Sequence, residues 1–263
     1  MTREAHLGPS GGRAQTLSPR RVEAYARHPI VRRPRLRLRF AAFAGVRSTD
    51  LVLDVACGPG FNAFAFARRA REVVAVERSP ELLAVAEREA KRRGLRNVSL
   101  HEGGPAPLPF PPDSFDLVTT TGTVHHFDSP AEVFAEMARV CAPGGRIAIE
   151  DVVASEQEVR ARYHNRLERL RDRSHRRCLP LSELLSLLGR QGLLVQHVLV
   201  QESLREFNEW ISVAGTPPRR AEHIRRLLLG AQARDLSGLA IRPADDTFLF
   251  VQQVAWVLAV KPA

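Results

Sequence analysis

Residues 51–60 read Leu-Val-Leu-Asp-Val-Ala-Cys-Gly-Pro-Gly, and this stretch decides the fold class. Its first half is an apolar run that contains one acidic residue, Asp54. Two glycines, Gly58 and Gly60, follow at once, and a helix-like segment starts near Phe61. A buried strand that leads into a glycine-rich turn and a helix is typical of an open α/β sheet, in which ligands bind beyond the carboxyl ends of the strands.

The same pattern of a short apolar run followed by a helix repeats along the chain. Further strands are predicted at 73–76, 97–100, 115–119, 146–150, 193–200 and 247–260. Helices are predicted to begin at Ser79-Pro80 and Ser129-Pro130, with serine as the N-cap and proline as the first helical residue. Apolar runs that alternate with helices indicate a parallel sheet that is covered on both faces.

Three segments fall outside this repeat. Residues 1–18 are rich in glycine and poor in large apolar side chains, which predicts a disordered tail. Two short helices are expected between Pro19 and Ala44. Helical insertions are expected at about 155–180, which is strongly basic, and at about 203–236. The chain is interpreted as one domain over residues 19–263.

Charge and cysteine content exclude several classes of protein. The net charge is +10, but residues 1–40 carry +8 and residues 160–177 carry +6, so the remaining chain is mildly acidic. A high pI alone therefore does not argue for a nucleic-acid partner. The sequence contains no uncharged apolar stretch of about 18 residues, so no membrane span is predicted. Three scattered cysteines predict neither a zinc site nor disulfides, and we expect a cytoplasmic protein.

Asp54 separates two classes of nucleotide cofactor. Dinucleotides place a pyrophosphate at the helix N-terminus behind a G-x-G-x-x-G turn, whose third glycine is Ala63 here. The Asp54 carboxylate, four residues before Gly58, would repel a pyrophosphate, whereas it suits the ammonium and sulfonium groups of S-adenosylmethionine. Glu77, at the end of the second strand, can accept the ribose hydroxyls of either cofactor. A nicotinamide dehydrogenase is thus a disfavoured alternative.

Five motifs in order resemble those of class I S-adenosylmethionine-dependent methyltransferases, and most of all the quinone-biosynthesis C-methyltransferases. Besides residues 51–60, they are Val74-Ala-Val-Glu77, Leu108-Pro-Phe with Ser114-Phe-Asp-Leu-Val118, His125-His-Phe127 and Cys141-Ala-Pro-Gly-Gly145. The resemblance covers about residues 50–152. It implies a Rossmann-like, seven-stranded sheet, mostly parallel with an antiparallel last strand, helices on both faces and an N-terminal helical lid at 19–46.

The resemblance also implies a cofactor site for S-adenosylmethionine. Its expected members are Asp54, Ala56, Cys57, Gly58, Gly60, Asn62, Glu77, Arg78, Gly104 and Thr121. This chain departs from the family before Leu108, where a Gly-Asp-Ala run usually binds adenine. Gly104 has no side-chain acceptor and Pro105 has no N–H group, so two adenine hydrogen bonds would be missing.

The catalytic residues are harder to place, because methyl transfer requires a base only when the acceptor must lose a proton. His125 and His126 follow the fourth strand, and Asp151 follows the fifth. Residues 163–177 resemble a stretch in bacterial members of the group and contribute His175. We predict catalytic roles for His126, His175 and Asp151.

The sequence predicts O- or C-methylation of a small-molecule acceptor, which would be phenolic, quinone-like or acidic. Methylation of RNA or DNA is the first alternative, although the motif for base amino groups is absent after the fourth strand. A non-catalytic S-adenosylmethionine-binding protein is the second. Contact of the basic segments with an anionic membrane surface also stays open.

Overall fold

Eight strands in the described part of the chain form one mixed sheet, and the computed structural model describes residues 18–231, 236–244 and 246–263. In chain order the strands are β1 (Leu51–Val55), β2 (Glu72–Glu77), β3 (Val98–Glu102), β4 (Phe115–Thr121), β5 (Cys141–Val153), β6 (Leu194–Glu206), β7 (Arg242–Ala244) and β8 (Thr247–Val260). The order across the sheet is β3-β2-β1-β4-β5-β8-β6, and β7 pairs with β8.

The directions of the strands match the expected fold. Strands β1 to β5 pair in parallel, whereas β8 runs antiparallel to both β5 and β6. The seven-stranded sheet with an antiparallel last strand is therefore confirmed, and β7 is a short addition to it. The carboxyl ends of β1, β2, β4, β5 and β6 share one edge of the sheet, where β8 begins.

Helices cover both faces of the sheet. In chain order they are α1 (Pro19–Arg27), α2 (Pro29–Arg32), α3 (Pro34–Phe43), α4 (Phe61–Ala67), α5 (Pro80–Arg92), α6 (Pro130–Val140), α7 (Glu158–Arg171), α8 (Leu181–Gly189), α9 (Phe207–Ala214) and α10 (Pro218–Ala231). The predicted starts of α5 and α6 are confirmed, and the hydroxyl of Ser79 accepts from the backbone N–H of Leu82 at 3.3 Å. Among these helices, none combines the length and apolarity that a membrane span requires.

Four apolar clusters in the described part of the chain pack the helices on the sheet or on one another, and the smallest joins α1 to α5 around Val22 and Val85. The first packs α6 and α8 on one face, around Phe134, Met137 and Leu188. The second packs α3, α4 and α5 on the other face, around Phe40 and Phe66. The third joins α7, α9 and α10 to the beginning of β8. This last cluster lies at the edge of the sheet where the parallel strands end, so its helices are placed to cover a ligand there.

The expected lid segment contains three helices instead of two. Pro29 and Pro34 each begin a helix, because the fixed φ of proline suits the first helical position. The prediction of two short helices was wrong because both prolines were interpreted as breaks. The expected disordered tail, apart from Ser18, lies outside the described residues.

The bounds of both insertions also differ from the prediction. The first, expected over 155–180, is helical only to Arg171. Residues 176 and 177 lie beyond the helix and donate their backbone N–H groups to the carbonyl of His125. The second, expected over 203–236, begins as a strand. The backbone of β6 remains paired with β8 as far as Glu206, which lies opposite Leu249. Residues 232–235 of this insertion lie outside the described part.

Candidate active site

The glycine turn after β1 leaves open space in front of its backbone. Ala56, Gly58 and Gly60 all have positive φ angles, of 56°, 56° and 81°. A Cβ atom built on Gly58 would meet no atom within 4 Å, whereas one on Gly60 would lie 2.7 Å from the ring of Phe64. Gly60 therefore allows α4 to pack closely against the turn. Gly58 faces open space that a ligand can enter.

Asp54 lies fully buried beneath this turn. Neither carboxyl oxygen has a hydrogen-bond partner within ordinary distance and angle limits among the described residues, although the backbone N–H of Ala63 lies near enough to act on the carboxylate. Burial raises the pKa of Asp54 to about 7, although the positive charge of Arg37 and the backbone of Ala63 moderate the shift. A buried carboxylate without a partner is costly. It becomes favourable when a cation is brought to it, as the sequence predicts.

Glu77 at the end of β2 is tied to the same turn. Its Oε2 accepts from the backbone N–H of Gly58 at 3.0 Å, and its Oε1 accepts from that of Ser79 at 2.9 Å. Each carboxylate oxygen can accept a second hydrogen bond. Glu77 is thus held in a fixed orientation and keeps acceptor capacity for hydroxyl groups of a ligand.

A chain of hydrogen bonds connects the lid, through α4, to the end of β4. Arg37 of α3 donates from Nη1 to Asn62 Oδ1 at 3.1 Å, and Asn62 Nδ2 donates to the hydroxyl of Thr121 at the end of β4. Arg37 also donates to the carbonyl of Val31 at 3.0 Å, while its buried Nε has no partner among the described residues. The lid therefore brings a guanidinium next to the turn that follows β1.

A second buried carboxylate lies beside this connection. Glu150 of β5 is opposite Thr121 of β4, and its Oε2 has no hydrogen-bond partner among residues that the structure describes. Burial raises the pKa of Glu150, and the charge of Arg37 opposes that shift. Asp54 and Glu150 thus give the cleft an acidic floor on which Arg37 is the nearby cation.

Most of the predicted cofactor residues lie around this cleft. Cys57 is buried, and burial together with the charges of Asp54 and Glu77 raises the pKa of its thiol. Gly104 follows Gly103, whose N–H donates to the carbonyl of Glu77 at 3.1 Å. Arg78 differs from the rest because its side chain is exposed.

Three histidines and one aspartate meet at the other side of the cleft. Asp151 Oδ1 lies 2.6 Å from His125 Nδ1, and Asp151 Oδ2 accepts from the backbone N–H of His125 at 2.9 Å. The carboxylate thus fixes both the orientation of the His125 ring and a proton on Nδ1, which leaves Nε2 as an acceptor. Burial would lower the pKa of His125, but the charge and hydrogen bond of Asp151 outweigh it, and the pKa is raised.

The two histidines that the sequence favoured are poorer bases. Burial and the neighbouring His125 lower the pKa of His126 to about 4, and its Nδ1 lies 3.1 Å from Ser174 Oγ. Burial lowers the pKa of His175 to about 3, and its Nε2 lies 2.9 Å from Asn165 Oδ1. The ring centroid of His125 lies 4.1 Å from that of His126 and 5.5 Å from that of His175.

Arg37 and Glu150 are site residues that the sequence did not predict. Arg37 is one of ten arginines in the first 40 residues, and nothing local distinguishes it from the other nine. Glu150 ends an apolar run and resembles a solvated strand end. The alternation of side chains along β5 could have identified Glu150. A carboxylate one residue before Asp151 has to face the opposite side of the sheet.

Comparison with known proteins agrees with this geometry. Residues 53–149 match the family described as "Methyltransferase domain". The uncharacterized methyltransferase YcgJ of Bacillus subtilis is 32% identical over 220 residues, which are 83% of this chain and 87% of that protein. Its crystal structure superimposes with a TM-score of 0.83, covering 87% of this chain and 99% of YcgJ.

The chain belongs to the methyltransferase family. The family and the enzyme class expected from the sequence, an S-adenosylmethionine-dependent methyltransferase, are thereby confirmed. This methyltransferase is also similar to the demethylmenaquinone methyltransferase of Thermus thermophilus, with 37% identity over 117 residues. That match covers 44% of this methyltransferase and 53% of the relative.

Proposed function

We propose that this methyltransferase transfers the methyl group of S-adenosylmethionine to a small-molecule acceptor, with His125 as the base. The observation that carries the cofactor assignment is the buried, unpartnered Asp54 beneath the open backbone of Gly58. The relatives that methylate small molecules, such as the demethylmenaquinone methyltransferase, support the class of acceptor.

The residues of the cleft fit this cofactor group by group. Asp54 would bind its ammonium group, and Glu77 would accept hydrogen bonds from the ribose hydroxyls. The guanidinium of Arg37, with a free Nε, would bind the carboxylate of the methionine part. Gly58 would allow close approach of the backbone. When bound, S-adenosylmethionine supplies a methyl group on an electron-poor sulfonium.

His125 has the properties of a general base. Asp151 orients its ring and stabilises the protonated form, while Nε2 stays available to take a proton from the acceptor. A base whose pKa lies near the working pH is effective, and this condition favours His125 over His126 and His175. His126 and His175 would line the acceptor side of the cleft.

Thermal unfolding with S-adenosylhomocysteine tests the cofactor assignment. At a concentration of one hundred times the dissociation constant, we expect about 2.7 kcal/mol of added stability. NADH should add none, because its pyrophosphate would face Asp54. The absence of a shift at millimolar S-adenosylhomocysteine would contradict the proposal, whereas binding without turnover on any acceptor would favour a non-catalytic protein.

Methyl transfer from radiolabelled S-adenosylmethionine to a panel of phenols tests the base. We expect His125→Gln to lower kcat by about 100-fold or more. Asp151→Asn should move the ascending limb of the rate–pH profile to lower pH, because the pKa of His125 loses its supporting charge. His126→Gln, in the same turn, is the matched variant and should leave that limb in place. A limb that moves with His126 instead would refute the assignment.

A further inference from the structure

The two outer strands of the sheet differ in length. β3 ends the described sheet on one side and β6 ends it on the other. β3 has only five residues, whereas β6 has 13, which is about 40 Å of extended backbone. The free edge of a strand presents unpaired N–H and C=O groups, and proteins usually shorten, charge or cover such an edge. The free edge of β6 is thus the longer of the two.

The usual forms of protection are missing from most of β6. Residues 194–201 contain no proline, lysine, arginine, aspartate or glutamate. Every residue from 194 to 200 is exposed. A bulge at Gln196 interrupts the pairing with β8, but the pairing is regular from His197 to Glu206. This edge is therefore accessible to another strand.

Exposed apolar side chains are concentrated on the same strand. Of the nine large apolar residues that are exposed in the described part of the chain, six lie on β6. They are Leu194, Val195, Val198, Leu199, Val200 and Leu204. Leu199 lies opposite Trp256 of β8, and Val198 lies opposite Val257, so their side chains point to opposite faces of the sheet. A strand beside β6 would thus cover apolar groups on both faces, and a contiguous group of this kind marks an interaction surface.

The sequence of β6 suits a second copy of the same strand. Residues 197–201 read His-Val-Leu-Val-Gln, an apolar triplet centred on Leu199 with a polar residue on either side. If two copies run antiparallel about a two-fold axis at Leu199, this leucine meets itself. Val198 of each copy then lies opposite Val200 of the other. The apolar side chains of the triplet would all meet apolar partners.

The charges of β6 favour this antiparallel arrangement. Its acidic and basic residues, Glu202, Arg205 and Glu206, all lie in its carboxyl-terminal part. With the axis at Leu199 these parts of the two copies point away from each other, so none of these charged side chains lies opposite another. Parallel pairing in register would place each of them beside an identical charge, which is unfavourable. The charges therefore select the antiparallel pair.

We propose that this methyltransferase forms a homodimer in which two β6 strands pair antiparallel about Leu199 and join the two sheets into one. The pairing supplies partners for the free N–H and C=O groups of both edges. It uses β6 of each copy once, so the assembly closes at two chains. The inference goes beyond the proposed function, since β8 separates this edge from β5, which carries Asp151.

Sedimentation equilibrium of the full chain tests the dimer. At micromolar concentrations and above we expect a mass of twice the 29.3 kDa of one chain. Leu199→Lys brings two lysines together at the axis, so the dissociation constant of the dimer should rise about tenfold or more. Leu38→Lys is the matched control, because Leu38 of α3 is 40% exposed and Leu199 is 41% exposed. The control should leave the dissociation constant unchanged.

Cysteine crosslinking measures the register of the pairing and does not require Leu199→Lys to fold. The three native cysteines are buried, so an introduced cysteine on β6 is the accessible thiol. A short bismaleimide should capture Leu199→Cys as a covalent dimer, because directly opposite Cβ atoms lie about 5 Å apart. Leu38→Cys, treated in the same way, should run as a monomer on a denaturing gel.

Three results would overturn the proposal. A wild-type chain that stays monomeric at the highest soluble concentration would leave the edge to a strand of another protein. A folded Leu199→Lys that dimerises like the wild type, or a Leu199→Cys that is not captured, would show that the copies meet elsewhere. A mass that keeps rising with concentration would replace the closed pair by open-ended association.

Discussion

Two buried carboxylates in the two halves of this molecule have opposite surroundings. Asp54 lies in the half that contains the glycine turn. It is 0% exposed and has no hydrogen-bond partner in the described structure. Glu168, in the half covered by α7 and α9, is 2% exposed and is bound by Arg171 and Gln252. Burial raises the pKa of Asp54 to about 7. For Glu168, burial is outweighed by Arg171 and His164, and its pKa is held well below the ordinary value.

This difference separates a carboxylate that stabilises the fold from one that we propose binds a ligand. A paired buried charge contributes its interactions within the folded chain itself. An unpaired one destabilises the chain until a cation binds to it.

Glu168→Gln should destabilise the protein by about 3–5 kcal/mol, because it leaves the half-buried Arg171 without its carboxylate. Urea unfolding at pH 7 measures this loss. The pKa of Glu168 is lowered on folding, so its contribution is present above pH 4.5 and is lost as the pH falls through the folded value. Glu158→Gln, an exposed pair member on the same helix, should leave the urea midpoint almost unchanged. Equal effects of the two substitutions would remove the contrast.

Asp54→Asn should weaken binding of S-adenosylhomocysteine by about 100-fold or more, since the ligand's buried ammonium loses its counter-charge. The same substitution should raise the melting temperature of the cofactor-free protein at pH 8. The pKa of Asp54 is raised on folding, so its favourable contribution is complete below pH 3.8 and disappears as the pH rises through about 7. The gain from Asp54→Asn should therefore vanish at pH 4.

Asp116→Asn is the matched control for this variant. Asp116 lies near the start of β4, at the opposite edge of the sheet, and accepts from the backbone N–H of Leu51 at 2.8 Å. Binding of S-adenosylhomocysteine should be unaffected by it. Equal loss of affinity in both variants would show that Asp54 acts through general destabilisation.

The affinity for S-adenosylhomocysteine should fall about tenfold per pH unit below pH 7, because only the ionised Asp54 pairs with an ammonium. Calorimetry in buffers of different ionisation enthalpy should detect proton release near pH 6. Asp54→Asn should flatten this profile. A profile that keeps its slope in the variant would assign the proton to another group.

The side of the cleft that carries the glycine turn was more predictable from sequence than the side that carries the three histidines. The strand ends that carry Asp54 and Glu77 follow from local apolar runs, and parallel strands must end at a common edge. The sequence also placed Asp151 at this edge, but it did not predict that His125 is the partner of Asp151. Which of the adjacent His125 and His126 reaches it depends on the short helical turn at Val124–His126, which the spacing of residues does not reveal.

The bounds that were missed have a similar cause. β6 continues to Glu206 because it pairs with β8. A strand that depends on pairing with a distant segment has little local sequence pattern of its own. α7 ends at Arg171, after which two backbone N–H groups bind the carbonyl of His125, fifty residues away in the chain. Such partners do not exist in a local window of sequence.

By itself the sequence determined the sheet, the glycine turn and the carboxylate beneath it, because apolar periodicity and turn chemistry act between close neighbours in the chain. The tertiary structure decided which of 37 arginines and nine histidines enter the cleft. Arg37 meets Asn62, and His125 meets Asp151, through contacts between distant segments. Long charged side chains are interchangeable in a sequence pattern, and only packing gives one of them a buried position and a partner.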